Sequence, residues 1–320
     1  MFKHHTSVNC TMLLLFCLLI LVSCITTPTN PTPGTVPVTP TASATQIATI
    51  AATPTATPTP TTPQHYTSRV IFKGNARPDD LVFDLQGHLL FSDFYNGTIS
   101  RVNADLSVTV LYRNIAGPEG LVVLSDGTMI IAEQRTNRIL AMPPGAQTPI
   151  VLRTLPGTPS TANCKDGVDG IALDPTTNTL IIPDSPTGDV YRMSLDGKTF
   201  TRLLSGVTRP VGATVDAYGN IYVADECGGA LWRITPTGTT TRIGGFGMPD
   251  DVEIDPQGNL LVIDLLPSIH ALIRVDSATG KRQTLASQGF IEPQGLLIDN
   301  HGNIYVSDDY ADIIVEYQPA

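Results

Sequence analysis

The sequence predicts an all-β fold, a six-bladed propeller of four-stranded antiparallel blades closed by an N-terminal strand. Three observations carry that prediction. A short apolar element recurs six times, each copy ending in a carboxylate: LLFSD at Asp93, MIIAE at Glu133, LIIPD at Asp184, IYVAD at Asp225, LLVID at Asp264 and IYVSD at Asp308. The carboxylates are spaced by 40, 51, 41, 39 and 44 residues, the length of one propeller blade. Finally, the two ends of the repeat region are incomplete in complementary ways, as set out below.

Within each repeat the elements follow one order. A first apolar strand, such as 81–83, 121–124 or 296–298, leads into a turn containing Asn or Gly, for example Asp126-Gly127-Thr128 or His301-Gly302-Asn303. Asn and Gly tolerate the positive φ that tight hairpins require. The carboxylate-terminated element is the second strand. It reads as nearly continuous Leu, Ile and Val, because neighbouring blades cover both of its faces and clean alternation is lost. A third strand follows at 98–102, 138–142 and 230–234. A fourth, rich in Thr and aliphatics, follows at 108–112, 150–152, 200–204 and 240–243. After 313–316, the third strand of the sixth repeat, no fourth strand remains. Residues 68–73 (SRVIFK) precede the first repeat as an orphan strand. Pairing the orphan with the sixth repeat completes six blades and leaves few exposed edges. No segment has sustained helical periodicity.

Ahead of this domain, 66–320, lie two segments of different character. Residues 1–23 carry one cation, Lys3, and an apolar run over 12–22. The run is shorter than the roughly 20 residues a membrane-spanning helix needs, and it reads as the core of a secretory signal. It ends in Leu21-Val22-Ser23-Cys24, which resembles the lipobox of bacterial lipoproteins. That resemblance implies cleavage ahead of Cys24, a lipid on Cys24, and an extracytoplasmic chain held at the cell membrane. The other reading is an uncleaved anchor. Residues 24–65 read as a disordered tether: 26–63 contain 15 Thr and 9 Pro, and no charge falls between Cys24 and Gln64. At about 3.1 Å per residue in the extended form proline favours, the tether would reach on the order of 100 Å.

All 29 acidic side chains and 18 of the 19 basic ones fall in the domain, a net charge of −11. A phosphate backbone would repel such a surface, which argues against nucleic acid as a partner. Cations are the more natural small partners.

The recurring pattern P-x-G-apolar, D-x-x-G and [AS]-D resembles NHL-repeat propellers and the related senescence-marker-protein/gluconolactonase superfamily, over the whole of 66–320. WD-repeat signatures are absent, with Trp232 the single tryptophan. The superfamily's enzymes hold a divalent metal at the mouth of the central channel and hydrolyse lactones or esters. Their ligands are a first-blade Glu, Asn residues from the third and fourth blades, and an Asp in a fifth-blade Pro-Asp pair. Met248-Pro249-Asp250-Asp251 matches the fifth-blade motif, Asp79 after Pro78 stands in the first-blade position, and Asp169 stands near the third. In the fourth blade Arg209-Pro210-Val211-Gly212 departs from the pattern, because Val211 cannot ligate a metal.

The residues themselves place two acidic sets on one rim. The six-fold set ending the second strands reads as structural, each carboxylate accepting backbone N–H groups of a turn. The set opening each first strand consists of Asp79, Glu119, Asp169, Val211, Asp250 and Gln294, with Asp80 and Asp251 beside it. Four carboxylates at one channel mouth must be hydrated, protonated or bridged by a cation. Oxygen ligands of this kind suit Ca²⁺ or another divalent cation, with Asp79, Glu119, Asp169 and Asp250 as the candidate ligands; a hydrated acidic channel is the competing reading. If the superfamily's chemistry applies, Asp250 or Asp169 would be the catalytic base. His270 falls on the same rim, whereas His88 and His301 fall on the opposite face. Cys164 and Cys227 sit in rim loops of adjacent blades, which predicts a disulfide in preference to two free thiols. It would pin the insertion at 156–165 that lengthens the gap of 51.

Two functions remain open on the sequence. One is a binding propeller that holds a small molecule, glycan or protein at its acidic channel face. The alternative is a metal-dependent lactone hydrolase.

Overall fold

The structure, a computed structural model, describes residues 65–320. The signal at 1–23, the lipid attachment point Cys24 and the tether as far as residue 64 lie outside the described residues.

Six four-stranded antiparallel sheets each follow chain order, with one exception that closes the ring. Blades one to five span residues 81–112, 118–154, 172–204, 210–244 and 249–286. Blade six takes Pro293–Ile298, Ile304–Asp308 and Ile313–Pro319 from the end of the chain and Tyr66–Lys73 from the start of the domain. Tyr66 lies opposite Pro319 and Lys73 opposite Ile313, with a bulge between Val70 and Phe72. The orphan strand therefore pairs as the sequence requires, and begins two residues earlier than the SRVIFK segment.

The core is not a single mass. Six clusters of buried apolar side chains each fill one interface between adjoining blades. Leu180 and Ile182 of blade three, for example, meet Ile130, Ala132 and Ile139 of blade two. Ile71 and Phe72 of the N-terminal strand join Leu81, Leu89 and Phe91 of blade one. The second strands of blades one, two, four, five and six are buried at every position, since they are covered on both faces. Fourth strands lie outermost and are the least buried, and Val108–Tyr112 alternates half-buried with exposed positions.

The first strands line the bore. In blades two, four, five and six their pairing slips at the Pro-x-Gly or Pro-Asp-Asp step, between Pro118 and Leu121, Pro210 and Ala213, Pro249 and Val252, and Pro293 and Leu296. A bulge of this kind re-aims a side chain. Here it sets Glu119, Asp250 and Gln294 of blades two, five and six at the channel mouth. The Gly that follows lets backbones approach: a Cβ on Gly120 would lie 2.7 Å from the Asp169 carbonyl oxygen and 2.7 Å from the Ile171 nitrogen.

Candidate functional site

One face of the ring gathers the loops that lead into each first strand and the turns between second and third strands. A cavity of about 430 Å³ opens there, and a second of about 320 Å³ occupies the bore beneath it. Asp79, Asp169, Asp250 and Gln294 line both, so they form the partition between rim and bore. Glu119 lines the rim cavity. The four carboxylates picked out in the sequence thus share one basin.

The six-fold carboxylates Asp93, Glu133, Asp184, Asp225, Asp264 and Asp308 are all buried and structural. Their main duty is to strap down the lead-in loop of their own blade. Asp93 accepts the Arg77 N–H at 3.0 Å, Glu133 the Ala116 N–H at 2.9 Å, and Asp225 those of Thr208 and Arg209 at 3.1 and 3.0 Å. Asp264 accepts Gly247 and Met248, and Asp308 accepts Ile291 and Glu292. In blade three the insertion changes the pattern. The Asn137 side chain donates to Asp184 at 2.8 Å while its oxygen accepts the Val168 N–H at 2.7 Å. The following turns are bonded as well, as by Asn96 N–H to Asp93 at 2.9 Å.

Arg209, which sequence patterning passes over, is the cation at the centre of the acids. Its Nη2 lies 3.3 Å from Asp169 Oδ2 and 3.4 Å from Asp166 Oδ2, and its Nη1 pairs with Glu226. Asp169 also accepts Gln134 Nε2 at 3.1 Å. Burial pushes the Glu226 carboxyl up to about 7 despite the guanidinium. Burial also pushes Asp250 well above the usual carboxylate range, and nearby Asp169 and Glu226 push it further. Asp79 and Glu119 lie close together at the mouth of the bore. Both are held well above the ordinary range, first by burial.

In the bore, Asp80 and Asp251 act as staples between blades. Asp80 Oδ2 accepts the Leu121 N–H of blade two at 2.5 Å, and Asp251 Oδ2 accepts the Leu296 N–H of blade six at 2.9 Å. Glu253 accepts the Thr214 hydroxyl at 3.2 Å, and burial pushes its carboxyl up to about 7.

These side chains do not fit a divalent cation as they stand. Val211 is fully buried and packs into the cluster between blades four and five, away from the mouth. Arg209 already supplies positive charge to Asp169. Among the described residues, no group of three or more His, Cys, Asp or Glu is placed to hold a metal ion. Of the two candidate bases, Asp169 is ion-paired with Arg209, while burial holds the Asp250 carboxyl well above the usual carboxylate range.

Cys164 and Cys227 form the disulfide, with Cα atoms 6.4 Å apart. It holds the 156–165 insertion against blade four, and Thr161 of that insertion lines the rim cavity. His270 lines the cavity as well, in a turn where its φ is 36°. His88 pairs with Asp84 at 2.8 Å in the turn between the first two strands of blade one. Tyr95 and Asp309, also unremarked in the sequence, complete the wall on the blade-one and blade-six side.

No family model matches the sequence, and no curated protein matches it. Solved structures do match. A gluconolactonase from Xanthomonas campestris superposes with a TM-score of 0.64 at 15% identity, over 80% of this chain and 90% of that one. A catalytically inactive virginiamycin B lyase from Staphylococcus aureus, solved with quinupristin, gives 0.59 at 18% identity, over 77% and 82%. A chain of the nidogen/laminin complex gives 0.59 at 20% identity, over 69% and 85%. The chain shares the six-bladed fold of gluconolactonase-like and virginiamycin B lyase structures; at these identities the likeness is one of fold.

Proposed function

We propose that this chain is a binding propeller, displayed outside the cytoplasm on a lipid-anchored tether, that holds its ligand in the acidic rim cavity. One observation carries the reading: a basin of about 430 Å³ whose carboxylates on the blade-three and blade-four side are engaged by Arg209, walled by the exposed ring of Tyr95 and a disulfide-pinned insertion. Such a basin offers shape, charge and an aromatic face, which are the attributes of a recognition site. The nidogen/laminin and quinupristin-bound structures support the reading, as propellers of this fold solved with a partner or a small molecule.

Arrays of glycans, peptides and small amines and acids, probed with the full chain, test it. Bound classes should be lost on Arg209→Ala, which unpins the acids. Binding that ignores every rim substitution would remove the proposal.

A second reading, a lactone hydrolase, draws on the gluconolactonase fold and on Asp250. A carboxyl whose burial favours the protonated form can protonate the ring oxygen of a lactone as the acyl–oxygen bond breaks and water adds to the carbonyl carbon. Turnover across a panel of lactones that disappears with Asp250→Asn would favour this reading over the first.

A further inference from the structure

We propose that the blade-six side of the rim cavity receives the positively charged head of a small organic ammonium ligand, with the ligand's apolar body against Tyr95. The inference rests on the binding reading above and gives it a chemical class.

The first observation is Asp309. Its side chain is 3% exposed and lines the cavity. Arg77 Nη2 reaches Oδ2 at 3.3 Å and Arg77 Nε donates to the backbone carbonyl at 3.0 Å. Burial pushes the Asp309 carboxyl up to about 7, although Arg77 and the Gln294 amide favour the charged form, and no donor meets Oδ1 at hydrogen-bonding geometry among the described residues. A buried carboxyl oxygen left without a donor is costly, and on a side chain that lines a cavity a ligand N–H can supply one.

The second observation is charge. Eight carboxylates line the basin, and its single arginine, Arg209, is engaged by Asp166, Asp169 and Glu226 of blades three and four. Glu292 and Asp309 lie on the other side, where Arg77 pairs with Asp309 Oδ2 from outside the cavity lining and Glu292 has no ion-pair partner among the described residues. A ligand anion would be repelled there, and a cation would complete the pairing.

The third observation separates an organic cation from a metal ion. The wall at this side is aromatic and aliphatic. Tyr95 is 44% exposed and Ile291 is 55% exposed, beside Met248 and Leu265. The Arg77 guanidinium already stacks at 3.5 Å from the Tyr95 ring and 4.2 Å from the Tyr310 ring, whose hydroxyls lie 3.3 Å apart. Such faces favour cations with little hydration and offer no ligand to a hard metal ion.

Calorimetry on the full chain with three probes of similar shape tests the idea: phenethylammonium, 2-phenylethanol and 3-phenylpropanoate. The ammonium should bind at least about tenfold more tightly than the alcohol, and the carboxylate more weakly than either. Asp309→Asn and Glu292→Gln should each weaken the ammonium about fivefold or more without changing the alcohol. Glu292 is partly exposed, so its variant keeps the test valid if Asp309→Asn impairs folding. Equal binding of ammonium and alcohol would overturn the inference and leave a binding cavity standing. So would ammonium binding that neither substitution alters. Failure of all three probes, alongside another class captured through the rim, would also reject the ammonium alone; failure of every class on the arrays would reject the binding reading with it.

Discussion

Asp225 is worth most at the point where two chain segments meet. It accepts the N–H groups of Thr208 and Arg209 ahead of its blade, that of Gly228 behind it, and the Trp232 indole at 3.1 Å. Asp225→Ala leaves several buried donors without an acceptor and should cost about 3 kcal/mol in urea unfolding. Because one of those donors belongs to Arg209, the substitution should also loosen the cavity. Glu253 makes a different prediction. It keeps its proton up to about pH 7 in the fold, whereas an unfolded Glu releases it near 4.3. The native state therefore binds more protons between those values, so stability falls as pH rises from about 4 to about 7. Asp80, also pushed up to about 7 by burial, acts in the same direction. Glu253→Gln retains an oxygen for Thr214 and the Ile254 N–H, both bonded to Oε2. It should flatten the fall in melting temperature between pH 5 and 8 and raise stability at pH 8 by about 3 kcal/mol or less. A variant with the wild-type pH profile would show that Glu253 titrates normally. Residues such as these differ in how far the sequence exposes them. The six-fold acids repeat, so their structural role is legible. Arg209 occurs once, and only its place beside Val211, where the acid is missing, hints that a cation has replaced a ligand.

The elements are more legible than the spaces between them. Each blade repeats the same hydrophobic second strand and a turn bearing Gly or Asn, so strand order and number follow from spacing alone. The rim cavity draws on loops from all six blades, separated by up to 230 residues, and no local pattern reports which of their side chains meet. The strap from each carboxylate to its lead-in loop is hidden for the same reason, since the turn that follows is the nearer partner in sequence. The 156–165 insertion is the exception, because its cysteine announces the tie. Cys164 and Cys227 close a loop 63 residues long. Restricting the unfolded chain over that length is worth about 4 kcal/mol in the chain-entropy account. The insertion carries few contacts of its own besides the Ser160–Lys165 bridge and the bonds from Lys165 Nζ to the carbonyls of Ser185 and Thr208. The double substitution Cys164→Ser, Cys227→Ser should therefore lower the melting temperature and make it insensitive to reductant, while the wild type falls to the same value when reduced. A reductant-insensitive wild type would mean that the bond adds nothing to the fold.

At the scale of the whole molecule, closure decides whether six blades behave as one body. Each blade buries its apolar faces only against its neighbours, so an open ring would expose the side of blade six that now meets blade one. Tyr66–Lys73 prevents this: it covers Ile313–Pro319 along its length and adds Ile71 and Phe72 to the cluster with Leu81, Leu89 and Phe91. Removing residues 66–73 should cost at least about 4 kcal/mol from those two side chains and leave an unpaired edge that invites association. Light scattering should then find oligomers or aggregate, and thermal unfolding should begin earlier. The register supplies the control. Tyr66 sits opposite Pro319, and the Ala320 N–H donates to the His65 carbonyl at 2.8 Å, so the two strands meet as the arms of a hairpin whose turn is missing. Moving residues 66–73 to follow Ala320 through an Asn-Gly turn should rebuild the same pairing as a local hairpin. That permuted chain should recover the monomer and most of the lost stability. Recovery without the strand, or failure with it restored, would show that the ring is held by something other than this seam.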